Sequence, residues 1–201
     1  MRLLFVADGP RDCATVPELV QAIVKAPIAP VFREWKKLRL SRGSGYQRKL
    51  QFALLQAREL ELAGVVATID SDKSPAGDGL MKLRSARDQD RKSTRVAQIP
   101  AAVGEAIPHL EAWLLDDPKA VREALHFPSD KLIPPVSKTE PKNTLNVLID
   151  ESARSEGMMD LLAEIARCID KGRCNHSDKT GFESFVQDVR AELEPLVSIA
   201  S

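Results

Sequence analysis

Val65-Val66-Ala67-Thr68-Ile69-Asp70-Ser71-Asp72 is the stretch whose reading decides the fold. Val65 to Ile69 is an apolar run of strand length, and it stops at two carboxylates. Unbroken apolar strands belong to parallel sheets covered on both faces, because an antiparallel strand with one wet face alternates instead. A second run of the same kind opens the chain: Arg2 to Ala7 reads as a short buried strand that ends at Asp8-Gly9-Pro10. Two parallel strands end on the same edge of their sheet. Acids placed just after both strands therefore share the edge where α/β sheets collect their ligands.

Between and after these strands the pattern turns helical. Thr15 is a cap for a helix with Pro17 and Glu18 in its first turn, running to about Lys25, with Pro27 and Pro30 as stops. Gln47 to Ala63, rich in Leu, Ala, Glu and Gln and closed by Gly64, predicts another. Val96 to Ile99 reads as a strand and Ala101 to Ile107 as a strand or loop. His109 to Leu115 looks helical, and Asp116 or Asp117 with Pro118 starts a helix to about Leu125. Four prolines between Phe127 and Pro141 predict a loop, and helices follow over 143–154, 160–170 and 181–196. The expected fold is α/β: a mostly parallel, Rossmann-like central sheet flanked by helices, with a helical C-terminal part. Residues 1–125 form the core, with a basic insertion near 27–49. Residues 126–201 form a loop plus a helical extension packed on it.

Composition narrows the class. The chain has 201 residues, enough for one domain or one domain with a small appendage. Lys plus Arg equals Asp plus Glu at 29 each, so global charge points to no partner, while local charge does. Arg33 to Lys49 carries Arg33, Lys36, Lys37, Arg39, Arg42, Arg48 and Lys49 against the single acid Glu34. A second basic segment holds Lys82, Arg84, Arg87, Arg91, Lys92 and Arg95. No apolar run approaches the roughly 20 residues of a membrane span, and no signal peptide is read. Three cysteines without a framework fit a reducing cytoplasm. Cys168, Cys174 and His176 lack the spacing and the fourth ligand of a zinc site.

The chemistry sits in the acids. Asp70 and Asp72, two residues apart at a strand end, can both turn toward one ion. Hard ions such as Mg²⁺ take oxygen ligands and keep several waters, so two or three carboxylates suffice. Crowded carboxylates repel, and a divalent cation removes the repulsion. An apolar strand, an acid-Gly pair, an acid soon after and a later strand ending in Asp-x-Asp resemble the TOPRIM pattern. The nearer resemblance is to small stand-alone, OLD-type TOPRIM-like bacterial proteins, often encoded beside an ABC/SMC-type ATPase and linked to phage defence. Four segments carry it: Val6 to Asp12, Val65 to Asp72, Ile107 to Pro118 with its Glu-x-Trp-Leu-Leu-x-Asp run, and Glu140-Pro141-Lys142 before a helix. Gly181 to Phe185 also matches that family's last helix. Asp8 and Asp12 depart from it, standing where the family usually has Glu, one methylene longer.

The resemblance implies metal-assisted phosphodiester hydrolysis. Asp70 and Asp72 hold Mg²⁺ or Mn²⁺, Asp8 is base or further ligand, Asp12 belongs to the catalytic set, and Glu111 completes the shell. Lys142 meets a phosphate, and Arg33, Lys36, Lys37 and Arg39 supply sequence-independent backbone contacts. Trp35 and Tyr46 either stack on bases or anchor their segment to the core. The partners expected are nucleic acid, DNA rather than RNA, and an ABC/SMC-type ATPase, with no membrane and a homodimer left open. The alternative is a catalytically weak or inactive regulatory subunit of an ATPase complex, favoured by the shortened acids. A phosphatase with Asp70 as nucleophile and Asp72 as acid is disfavoured, because such an Asp-x-Asp sits on a first strand.

Overall fold

A computed structural model describes residues 1–38, 45–71, 76–93, 97–136 and 140–199, the side chain of residue 199 excepted. Asp72, Arg39 and Val96 lie outside the described residues. The sheet has four strands, all parallel: β1 (Arg2–Ala7), β2 (Ala29–Glu34), β3 (Gly64–Asp70) and β4 (Ala101–Ala106), in the order β2-β1-β3-β4. Each step along the chain crosses over through a helix: α1 (Pro10–Val24), α2 (Tyr46–Glu59) and α3 (Asp78–Arg91). The order reverses direction between β1 and β3, which makes the gap beyond their carboxyl ends the topological switch point of the sheet.

The two expected strands form because their runs are buried on both sides: Leu3 to Ala7, and Gly64 to Ile69, are almost wholly inaccessible. β4 occupies the run read as strand or loop, and residues 97–100 before it carry no regular structure. Ala29–Glu34 differs from expectation. It begins the segment read as a basic insertion, yet it is a strand of the sheet. Pro30 has no N–H to donate, which is tolerable on an edge, and β2 is an edge strand paired only with β1.

α1 also starts earlier than Thr15. Pro10 takes the first helical position, where a missing N–H costs nothing, and Thr15 bonds back to the Arg11 carbonyl at 2.8 Å. α2 places Leu50, Ala53, Leu54 and Ala57 on one stripe and, with Leu83 and Ala86 of α3, covers one face of the sheet. The other face is covered by α1 and by the later helices α4 (Glu111–Leu115), α5 (Pro118–Ala124), α6 (Pro141–Glu151), α7 (Met158–Cys168), α8 (Ser177–Thr180) and α9 (Phe182–Ile199). α9 lies directly on β4: a Cβ added to Gly104 would stand 2.5 Å from Phe185 Cδ2. Trp113 of α4 sits between Phe182 and Phe185, with ring centroids 5.5 and 4.9 Å away. The C-terminal helices thus form one of the two layers over the sheet. Among the described residues no helix is long and apolar enough to cross a membrane.

Candidate functional site

Asp8 follows β1 and Asp70 ends β3, and these strands are neighbours in register from Leu3 and Gly64 onward. The backbone N–H of Asp70 donates to Asp8 Oδ2 at 3.3 Å. Two further acids arrive from helices. Asp12, in the first turn of α1, turns back so that Oδ2 accepts from the N–H groups of Asp8 and Gly9, both at 2.9 Å. That closes the helix start as a capping box does, with the carboxylate near the positive end of the dipole. Glu111, first residue of α4, is buried. The segment before it holds Asp70 in place: Leu110 N–H donates to Asp70 Oδ1 at 3.1 Å, and His109 Nδ1 lies 3.4 Å from Asp70 Oδ2.

One guanidinium stands among these acids. Arg11 donates from Nη1 to Glu111 Oε1 at 2.7 Å and from Nη2 to Asn146 Oδ1 on α6 at 2.8 Å, and it touches Met158 Sδ of α7 at 3.1 Å. Among the described residues, this one guanidinium does not offset the acids. Burial, then the charges of Asp12, Asp8 and Glu111, push the Asp70 carboxyl up to about 8. Burial, then Asp8 and Glu111, push Asp12 up to about 6, against the pull of its two amide bonds. Asp12 and Asp70 are each raised by charges that include Asp8 and Glu111, so the four carboxylates occupy one electrostatic neighbourhood.

Four of the five acids expected from sequence are therefore brought together: Asp8, Asp12, Asp70 and Glu111. Among the described residues, no group of three or more His, Cys, Asp or Glu side chains is already arranged to hold a metal ion. The donor set is nonetheless all oxygen at the strand ends, as Mg²⁺ and Mn²⁺ require, and its members repel one another. An all-oxygen set of this kind is chemically compatible with a divalent cation. Each of the four already has one oxygen engaged by a protein donor: Asp8 Oδ2, Asp12 Oδ2, Asp70 Oδ1 and Glu111 Oε1.

The cations expected to meet phosphate are placed less simply. Lys36 and Lys37 both pair with Glu34, although their side chains are about 70 % exposed. Glu34 is in register with Ala7, so this trio borders Asp8 on the same edge. Arg33 donates to the neighbouring Phe32 carbonyl at 2.8 Å. Lys142 is exposed on α6, one turn before Asn146 on the same helix face. In the second basic segment the described arginines are structural, whereas Lys82 and Lys92 are exposed. Arg87 is buried and bonds Asp188 of α9 at 2.6 Å, and Arg91 pairs with Glu192. Trp35 is a core anchor, since its buried indole N–H donates to the Thr68 carbonyl at 2.7 Å and Tyr46 packs edge-on at 5.2 Å.

Three residues here escaped the sequence reading. Arg11 lay inside a motif without a role, and nothing local marks Asn146. Glu105 could have been noticed as a lone acid in an apolar run. It is buried on β4, accepts from Gly77 N–H at 2.6 Å, and so helps hold the start of α3. No family model matches the chain, and the comparisons with curated proteins and with solved structures returned no match.

Proposed function

We propose that this chain is a TOPRIM-like nuclease that hydrolyses phosphodiester bonds with the help of Mg²⁺ or Mn²⁺. The observation that carries the reading is the crowding of four carboxylates, from β1, α1, β3 and α4, at the switch point of a parallel sheet against one guanidinium. Such a charge excess is costly without a cation. When bound, the metal polarises a phosphoryl oxygen and activates water. Asp8 and Asp70 hold it, with Asp72 assigned to the same ion on the resemblance. Leu110 N–H and His109 fix the orientation of the Asp70 carboxylate. Lys36, Lys37 and Lys142 line the approach and meet the nucleic-acid backbone, with Arg33 and Arg39 assigned to the same path. Target selection falls to an ABC/SMC-type ATPase partner, and the setting to phage defence, again on the resemblance.

Purified protein is tested on plasmid and single-stranded DNA with Mn²⁺, beside Asp70→Ala and Asp72→Ala. Cleavage by the parent that falls at least a hundredfold in both variants is the expected result, as for loss of a catalytic metal. Equal cleavage by all three sinks the assignment. A second reading, a regulatory subunit with little activity of its own, is favoured by one observation: Asp12 Oδ2 and Glu111 Oε1 are already spent on protein donors. Absence of cleavage in a folded, metal-binding parent would select it.

A further inference from the structure

We infer that Glu105 of β4 is a positioning residue for the carboxyl edge: its buried carboxylate fixes the start of α3 so that the chain leaving β3 keeps Asp70 in place. The inference rests on the reading of Asp70 as a functional carboxylate. Glu105 is 3 % exposed, and its side chain is only half satisfied. Oε2 accepts from Gly77 N–H at 2.6 Å, while Oε1 has no hydrogen-bond partner among the described residues. A buried carboxylate in that condition is costly, and a strand covered on both faces is ordinarily apolar throughout. Residues that break such a rule are the ones expected to serve a site rather than the packing.

Three glycines make room for this acid. A Cβ on Gly79 would stand 2.1 Å from Ile69 Cδ1 and 3.0 Å from Glu105 Oε1, so only glycine lets α3 come this close. Gly77 takes a left-handed φ of 93° and presents its N–H to the carboxylate, at the end of α3 where the helix dipole favours a negative charge. Gly181, with φ 82°, leaves space for the Glu105 carbonyl oxygen, which an added Cβ would meet at 2.1 Å.

The residues just after Glu105 hold Asp70. Glu105 is in register with Ile69, and Ala106 with Asp70. Ser71 N–H donates to the carbonyls of Ala106 and Pro108 at 2.9 and 3.1 Å, and Leu110 N–H donates to Asp70 Oδ1 at 3.1 Å. Residues 105–110 thus grip the chain where it leaves β3 and again where α3 begins. The second grip is the Glu105 carboxylate. Gly77 is exposed, so water can replace that carboxylate on its N–H, and what is lost with it is position rather than hydrogen bonding.

The test compares the full chain with Glu105→Met, which keeps the bulk and removes the acid, and with Glu105→Gln, which keeps an acceptor for Gly77. Three things are measured: the urea midpoint, amide hydrogen exchange at Gly77 and Leu110, and kcat and KM for Mn²⁺-dependent cleavage of single-stranded DNA. Glu105→Met is expected to unfold at a urea concentration no lower than wild type, because a half-satisfied buried carboxylate is gone. Exchange at Gly77 and Leu110 nevertheless speeds up roughly tenfold. Its kcat falls by up to about a hundredfold at unchanged KM, the cost of a displacement of about 1 Å, and Glu105→Gln recovers most of it. A packing residue would instead lose stability and activity together. A lower urea midpoint in Glu105→Met, or failure to fold, therefore overturns the inference, as does wild-type exchange at Leu110. A wild type that cleaves nothing would remove the nuclease reading, and exchange at Leu110 with the urea midpoint would then decide the role of Glu105 alone.

Discussion

The carboxyl edge of the sheet and the seam between α3 and α9 both bury charge, and they treat it in opposite ways. In the seam, opposite charges are matched. Arg87 meets Asp188 at 2.6 Å and Glu192 at 3.5 Å, Arg91 closes on Glu192, and Asp188 also accepts from Val103 N–H at 2.7 Å. At the edge, four carboxylates face one arginine and two of them are pushed far above the ordinary range. Matched charge is a finished structure. Unmatched charge held together raises the pKa values of its carboxyls, as clusters at functional sites do. The difference also shows in the second basic segment, whose described arginines are committed to α9.

The sharpest way to break the comparison is to unmatch the seam. Arg87→Ala takes the only cation from Asp188 among the described residues and leaves Glu192 to Arg91, their side chains being 11 % and 9 % exposed. It should cost about 3–5 kcal/mol of unfolding free energy in urea titrations. A loss below ~1 kcal/mol would mean the seam is no better matched than the edge.

Next comes pH. In the folded chain Asp70 keeps its proton up to about 8, against 3.8 for the free group, and Asp12 up to about 6. The folded state therefore binds more protons than the unfolded one across this window, and both carboxyls favour folding at low pH. That contribution is lost as pH rises from about 4 through about 8. Allowing for the 25 % exposure of the Asp70 side chain, the loss is of the order of 2 kcal/mol. Asp70→Asn should flatten this slope, and so should Mg²⁺ with the wild type. Identical pH profiles for wild type and Asp70→Asn would show that the edge is not under electrostatic stress.

The smallest effect sharpens the boundary of the site. Lys36→Ala and Lys37→Ala should leave stability essentially unchanged, since both ammonium groups are exposed. Each should lower the salt dependence of single-stranded DNA binding by about one charge. Unchanged salt dependence would remove this corner of the edge from the nucleic-acid path.

What sequence revealed and what it hid follow from how each element is buried. β1 and β3 are legible because a strand covered on both faces must be apolar throughout, and the acids after them inherit their position from parallel geometry. β2 is hidden because an edge strand with half-exposed residues, Pro30 and Arg33 looks like a loop with charges. α3 is hidden for the reverse reason. Its buried face includes Arg87, whose partners lie about a hundred positions away, so its segment reads as a solvated charged stretch. At the site, Asp8 and Asp70 follow from strand ends, whereas Glu111 was placed by the resemblance alone. Arg11 and Asn146 are 135 positions apart in the chain, and no local pattern can announce such a contact.

The late helix α9 has a consequence for how the molecule comes into being. All four strands and their crossovers are made by residue 106, yet one face of the sheet receives Phe182, Phe185, Val186, Val189 and Leu193 only from the last stretch described. On the ribosome, the growing chain must carry the part of that face not covered by α1 through the synthesis of some eighty further residues, a span of roughly 4–16 seconds at ordinary elongation rates. Arrival of α9, rather than completion of the sheet, is the moment at which that part of the face is covered.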